Sequence, residues 1–329
     1  MIRREGKRVW IDLDEFYPPP HEHPNTVFKS MAIAFQALGG DTSYVDLMGV
    51  SAAAFRIQVG SNLCPSSPHP HLGFSCYDLA REALAFEFHE RGCESDDPVS
   101  VQQVKRAVVE SIDSGRPVIV NEEETGLAVG YMDGGESLLV REPYSLKGDQ
   151  PTRLSDWPWN FAFVSRLPHK PSRESIVRSV TEAVRLAHVD ELVGNDYASG
   201  FAAYERWIST LHDEAMMTDP PIEGEAVVIG NAHIYYCLVD ARSCASRYLL
   251  KVEADVPHAG SDLLAAAAVY RQIAETLDTG WDNVPWPRQL ESYSDWTQQQ
   301  RTHEAELLSN VLTLEREAVA RLEATVDAW

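Results

Sequence analysis

Basic residues are scarce in this 329-residue chain: 28 Lys and Arg stand against 50 Asp and Glu, a formal charge of −22. Nucleic-acid binding rests on Lys and Arg neutralising phosphates, so a surface of this sign excludes nucleic acid as a partner. An anionic membrane face is excluded for the same reason. Solubility is the general consequence of such acidity; a cationic small molecule or peptide is the partner it would suit. Long apolar runs are missing too, and no stretch approaches the roughly 18 residues of a membrane helix. The basic start Met1–Arg8 leads into Asp12, Asp14 and Glu15 rather than an apolar segment, so no secretory signal is expected. Cysteine is sparse: Cys64, Cys76, Cys93, Cys237 and Cys244 are an odd number, widely spread, with no CxxC pair. That is no disulfide framework, and a reducing cytoplasm is the expected location. The chain also lacks GxGxxG, GxxxxGK[ST] and GxSxG. It has neither a phosphate cradle nor a nucleophile elbow, and no cofactor is expected.

What is present is enough apolar material for real cores, 44% of the residues, and a length that suits two domains. Val9–Ile11 reads as a short strand. From Thr26 to Leu38, Val27, Met31, Ala34, Phe35 and Leu38 recur at helical spacing, with Asn25 as N-cap and Gly39-Gly40 as stop. Short helical pieces are expected at 46–48 and 52–55. Residues 57–75 read as irregular, and Tyr77–Glu90 as a helix. Asp97-Pro98 opens a helix over about 101–112. The period then changes to two: strands are expected at 117–120, 127–131, 137–141 and 161–167, with Asp133-Gly134-Gly135 as a tight hairpin turn. Helices followed by strands, rather than alternating with them, predict an α+β fold. Beyond Pro168–Pro171 everything reads as helical, at about 172–189, 196–212, 226–250, 261–277 and 302–327. The expected domains are 1–170, with a central antiparallel sheet, and 171–329, all helical.

Several side chains could carry chemistry. His69, His71 and Cys76, and separately His21-Glu22-His23, are of metal-ligating type, but no HExxH or paired CxxC accompanies them, and no metal site is expected. Cys64 precedes Pro65-Ser66-Ser67 in a loop, with His69 or His71 as a possible base; a buried, inert thiol is the plainer reading. Cys76 opens a helix, whose dipole would lower its pKa, and packing is an equal reading. Cys237 and Cys244 read as core. Ser51 reads as a cap. Glu122-Glu123-Glu124 fall between two strands, where burial would make like charges raise one another's pKa; a solvated loop is the default.

Several blocks together resemble a bacterial family akin to the N-terminal domain of butirosin biosynthesis protein H, and more remotely papain-like bacterial peptidases. They are Asn25–Phe28, Leu38–Gly40, Ser43–Arg56, Cys64–Ser66, Gly115–Val120, Gly126–Tyr131 and Tyr197–Ile208. The resemblance implies a papain-like fold, with a cysteine heading the first long helix, a histidine on a central strand and an Asp or Asn orienting it. In butirosin biosynthesis protein H such a site moves an acyl group from a carrier protein to an aminoglycoside. The place for the nucleophile falls near Asn25 and Thr26. Here the chain departs from the pattern: no Cys occurs before Cys64, and no His between His89 and His169. Glu142 could hold the third position.

Three readings follow. The first is a papain-like pseudoenzyme whose cleft beside helix 26–38 binds an amine-bearing small molecule or peptide through Asn25, Thr26, Glu123, Glu124 and Tyr131. The second is an acyltransferase or amidohydrolase with a relocated nucleophile, Cys64 with His69 or His71, or Thr26 with Glu124. The third is an interaction protein, in which Leu307, Leu308, Val311, Leu312, Leu314, Val319 and Leu322 of helix 302–327 pack on their own domain or form a homo-oligomer seam. Whether the chain is an enzyme stays open at this point.

Overall fold

A computed structural model describes residues 1–13, 24–92, 97–121, 125–141, 152–154, 160–193, 196–218, 224–256, 260–286 and 289–329. In chain order it begins β1 (Ile2–Glu5), β2 (Arg8–Ile11), α1 (Thr26–Ala37), α2 (Tyr44–Val50), β3 (Gln58–Gly60), α3 (Cys76–Leu84), β4 (Glu87–Gly92) and α4 (Pro98–Asp113). It continues β5 (Val118–Asn121), β6 (Thr125–Met132), β7 (Ser137–Arg141), β8 (Thr152–Leu154) and β9 (Asn160–Arg166). The rest is α5 (Arg173–His188), β10 (Glu191–Val193), β11 (Tyr197–Ser199), α6 (Gly200–His212), α7 (Glu214–Thr218), α8 (Gly224–Val252), α9 (Gly260–Asp278) and α10 (Gln298–Asp327). The fold is thus mixed α+β, an antiparallel sheet plus a C-terminal helical region. The chain forms two compact units, Met1–Leu47 with Leu84–Lys170, and Met48–Ala83 with Pro171–Trp329.

The first unit is built on an eight-stranded antiparallel sheet. β6 is its axis. One edge of β6 pairs with β7, which carries β8; the other pairs first with β5 and then with β2. β5 continues to β9 and β4, and β2 to β1. The β6–β7 turn holds Asp133, Gly134 and Gly135 at φ values of 53°, 72° and 104°, conformations that glycine adopts without strain and aspartate tolerates.

Strand parity sorts the two faces of this sheet. Val118, Val120, Ala128, Leu138, Val140 and Phe161 form a core with Val104, Val108 and Ile112 of α4. Their neighbours point the other way, toward α1, which packs on β5 and β6. On that face Phe35 of α1 lies 5.8 Å from Phe88 of β4, with rings nearly parallel. Phe28, Met31, Ile33 and Phe35 are all buried, and each contributes about 1.5–3 kcal/mol by leaving water.

The second unit contains a three-stranded sheet, β10-β11-β3. Here α10 packs on α5, α6 and α9, and α8 on α9. Its interior is unusually polar. Arg242 is fully buried and donates to Glu315 at 2.8 Å and to the carbonyl of Ala54 at 2.9 Å. Tyr204 donates to the same carboxylate at 2.7 Å.

Two expectations are corrected. The helix expected over Tyr77–Glu90 ends at Leu84, because Ala85 takes a positive φ of 54° and the chain turns into β4. The region after Pro171 is not helical throughout, since β10 pairs with β11 and β11 with β3, which lies in a stretch expected to be irregular.

Candidate functional site

The head of α1 is set by its first residues. Asn25 Oδ1 accepts from the backbone N–H of Phe28 at 3.1 Å, the N-cap its position in the sequence calls for. Its own N–H donates to the Tyr44 hydroxyl at 3.3 Å. Thr26, the first helical residue, is buried. One turn on, buried Ser30 donates its hydroxyl to the carbonyl of Thr125 at 3.2 Å. Thr125 in turn donates to Asn121 Oδ1 at 2.9 Å. Asn121 and Thr125 are also Cα partners across the β5–β6 pair. The helix head is therefore held against the end of that hairpin, and it carries the positive end of the helix dipole.

Glu123 and Glu124, the carboxylates between Asn121 and Thr125 in sequence, lie outside the described residues, as do Glu122, Glu142, Cys93 and His21-Glu22-His23. Tyr131 is not brought to the helix head. A bulge between Ala128 and Gly130 shifts the parity of β6, so Tyr131 joins the core on the α4 face. Its hydroxyl donates to Asp113 at 3.0 Å, a carboxylate that also takes a bond from Arg4.

The other sequence candidates fall in the second unit. Cys64 is half-buried and hydrogen-bonds with the Tyr197 hydroxyl; that contact, with burial, pushes the phenol up to about 12. His69 and His71 lie with ring centres 5.6 Å apart, and His71 stacks near Tyr77. Burial holds the His69 pKa below its ordinary value, helped by the charges of His71 and Arg56. Cys76 takes the packing reading rather than the lowered pKa. Although it opens α3, it is fully buried, and burial pushes its thiol up more than the adjacent Arg56 lowers it. Cys244 is buried as expected. Among the described residues, no group of three or more His, Cys, Asp or Glu could hold a metal ion, and no helix is long and apolar enough to cross a membrane.

Sequence reasoning missed two features. One is a groove of about 460 Å³ bordered by α5, α6 and α10. Most of its polar side chains meet one another: His188 meets Glu323 at 2.6 Å, and Arg316 meets Glu205 at 2.8 Å while lying over Phe201. The other is the buried polar cluster around Arg56, which leaves no periodic or motif signal because its members are scattered over residues 56–76 and 199.

Compared with known proteins, the chain matches no family model and no curated protein sequence.

Proposed function

We propose that the first unit is a papain-like module without the thiol–imidazole pair, and that the head of α1 beside the β5–β6 hairpin binds an amine-bearing small molecule or peptide. The observation that supports this is the placement of Asn25–Ser30 against Thr125, the relation that a papain-like fold requires between helix head and central strands. What stands at that head is Asn25-Thr26, not a cysteine. The sequence joining β5 to β6 is Glu122-Glu123-Glu124, an anionic run suited to a protonated amine. Acyl transfer would need a nucleophile paired with a base of matched pKa. Binding needs only that the anionic run outweigh the positive end of the helix dipole at the head of α1.

The test is a titration of the isotope-labelled full chain with a panel of mono-, di- and polyamines, followed through backbone amide resonances. Saturable shifts confined to the amides of Thr26–Lys29, Asn121 and Thr125 are expected. Shifts absent for every amine, or scattered over the second unit, would overturn the reading.

A further inference from the structure

The interior of the second unit holds a cation with no charged partner. Arg56 is 8% exposed, and its guanidinium keeps its charge under all ordinary conditions. It donates to the carbonyls of His69 at 2.8 Å and Leu72 at 2.5 Å, and to Gln58 Oε1 at 3.0 Å. All three acceptors are neutral. Among the described residues no carboxylate forms an ion pair with it. An unpaired buried charge is destabilising, so a compensating negative charge is what this interior calls for.

The groups around the guanidinium are donors still in want of an acceptor. Among the described residues, Arg56 Nε, Gln58 Nε2 and Ser199 Oγ are buried without a hydrogen-bond partner; Gln58 and Ser199 are 2% and 0% exposed. Gln58 and Ser199 are direct partners across β3 and β11, so their side chains share one face of the small sheet with Cβ atoms about 5 Å apart. Ser199 is also the N-cap of the thirteen-residue α6 and makes no capping bond with its side chain. Cys76, the first residue of α3, meets the guanidinium as well. Its thiol could supply the charge only by ionising, and burial works against that.

We propose that Arg56, Gln58 and Ser199 form a binding site for a small monoanion of the size of chloride, bromide or nitrate, held by the guanidinium, the amide and the hydroxyl at the head of α6. The anion completes the hydrogen bonding of three buried donors and neutralises a buried cation that, among the described residues, has no charged partner. In a chain of net charge −22 it is a local inversion of sign, sheltered from the acidic surface.

Bromide is the probe. Melting temperature is followed as bromide replaces gluconate, an anion too large for such a site, at constant ionic strength. The wild-type chain is expected to rise saturably in the millimolar range, and a crystal grown in bromide to show anomalous density beside Arg56 Nε and Gln58 Nε2. Gln58→Glu puts a carboxylate where the anion would act. It is expected to match the bromide-bound wild type in stability and to lose at least tenfold in bromide affinity. Ser199→Ala deletes one donor in a site otherwise unchanged, and should weaken bromide several-fold with the fold intact. A wild-type response as flat as that of Gln58→Glu, or no density beside Arg56, would overturn the proposal. So would the ultraviolet absorbance of a thiolate at neutral pH that disappears in Cys76→Ser, because the charge would then reside on sulfur.

Discussion

Glu304 lies on α10 with 1% of its surface exposed, both carboxyl oxygens accepting from the side-chain amide of Asn231, at 3.0 and 3.1 Å. Asn231 is itself fixed by the indole N–H of Trp207 at 2.7 Å. Burial outweighs the amide bonds and raises the carboxyl pKa to about 8. The group is therefore protonated in the folded chain at neutral pH and ionised in the unfolded one. Because the folded state binds the extra proton, stability falls as pH rises from the ordinary value of 4.5 to about 8, by at most ~1.4 kcal/mol per pH unit. Glu304→Gln keeps the shape without the titration. Urea midpoints measured from pH 5 to pH 8.5 should show the wild type losing ground to Glu304→Gln with rising pH, and parallel curves would contradict the assignment. Arg242 is the opposite case, since its charge is paired. Arg242→Met leaves the buried Glu315 carboxylate without a cation, with the Tyr204 hydroxyl still donating to it, and should cost about 3–5 kcal/mol.

Helix starts carry much of the local order, and some of them are legible in the sequence. Asn25 caps α1 and Asp97 caps α4 ahead of Pro98, whereas the capping box of Thr297 and Gln300 starts α10 ahead of the expected residue 302. Each is a short polar side chain before a periodic apolar run. Asn25→Ala should lower the stability of the first unit by about 1 kcal/mol, read as a shift in denaturant midpoint. The sheet hairpin is legible for the same kind of local reason, because Asp133-Gly134-Gly135 supplies positive φ. Strands β3, β10 and β11 are not. Three residues each, they are too short for alternation to register, and β3 finds its partner β11 more than a hundred residues along the chain. β4 reads as helix in the sequence because Leu79, Ala83, Leu84 and Phe86 set a helical stripe that runs up to it; the break at Ala85 and the pairing with β9 decide its form instead. At the candidate site Asn25 and Thr26 follow from capping logic. Tyr131 does not fall where alternation along β6 would put it, because a bulge inverts strand parity without leaving a trace in composition.

Across the whole molecule, charge outweighs other features. A net −22 repels itself, so added salt that does not bind should raise the melting temperature smoothly through screening. The apolar stripe of α10 is already used: Leu308, Val311, Val319 and Leu322 are buried within the second unit, where α10 packs on α5, α6 and α9. Light scattering is therefore expected to give the mass of one chain, 36.7 kDa, and a doubled mass would show a seam elsewhere. The claim on which the functional reading rests is that the chain recognises a protonated amine at a papain-like helix head without doing thiol chemistry there. Calorimetry with one amine and its neutral N-acyl derivative, on the wild-type chain and on Glu123→Gln/Glu124→Gln, tests it most directly. Saturable heat is predicted for the amine alone, with affinity about tenfold weaker in the double variant, near 1.4 kcal/mol. Equal heats for amine and N-acyl derivative, or equal affinities in the two proteins, would contradict it.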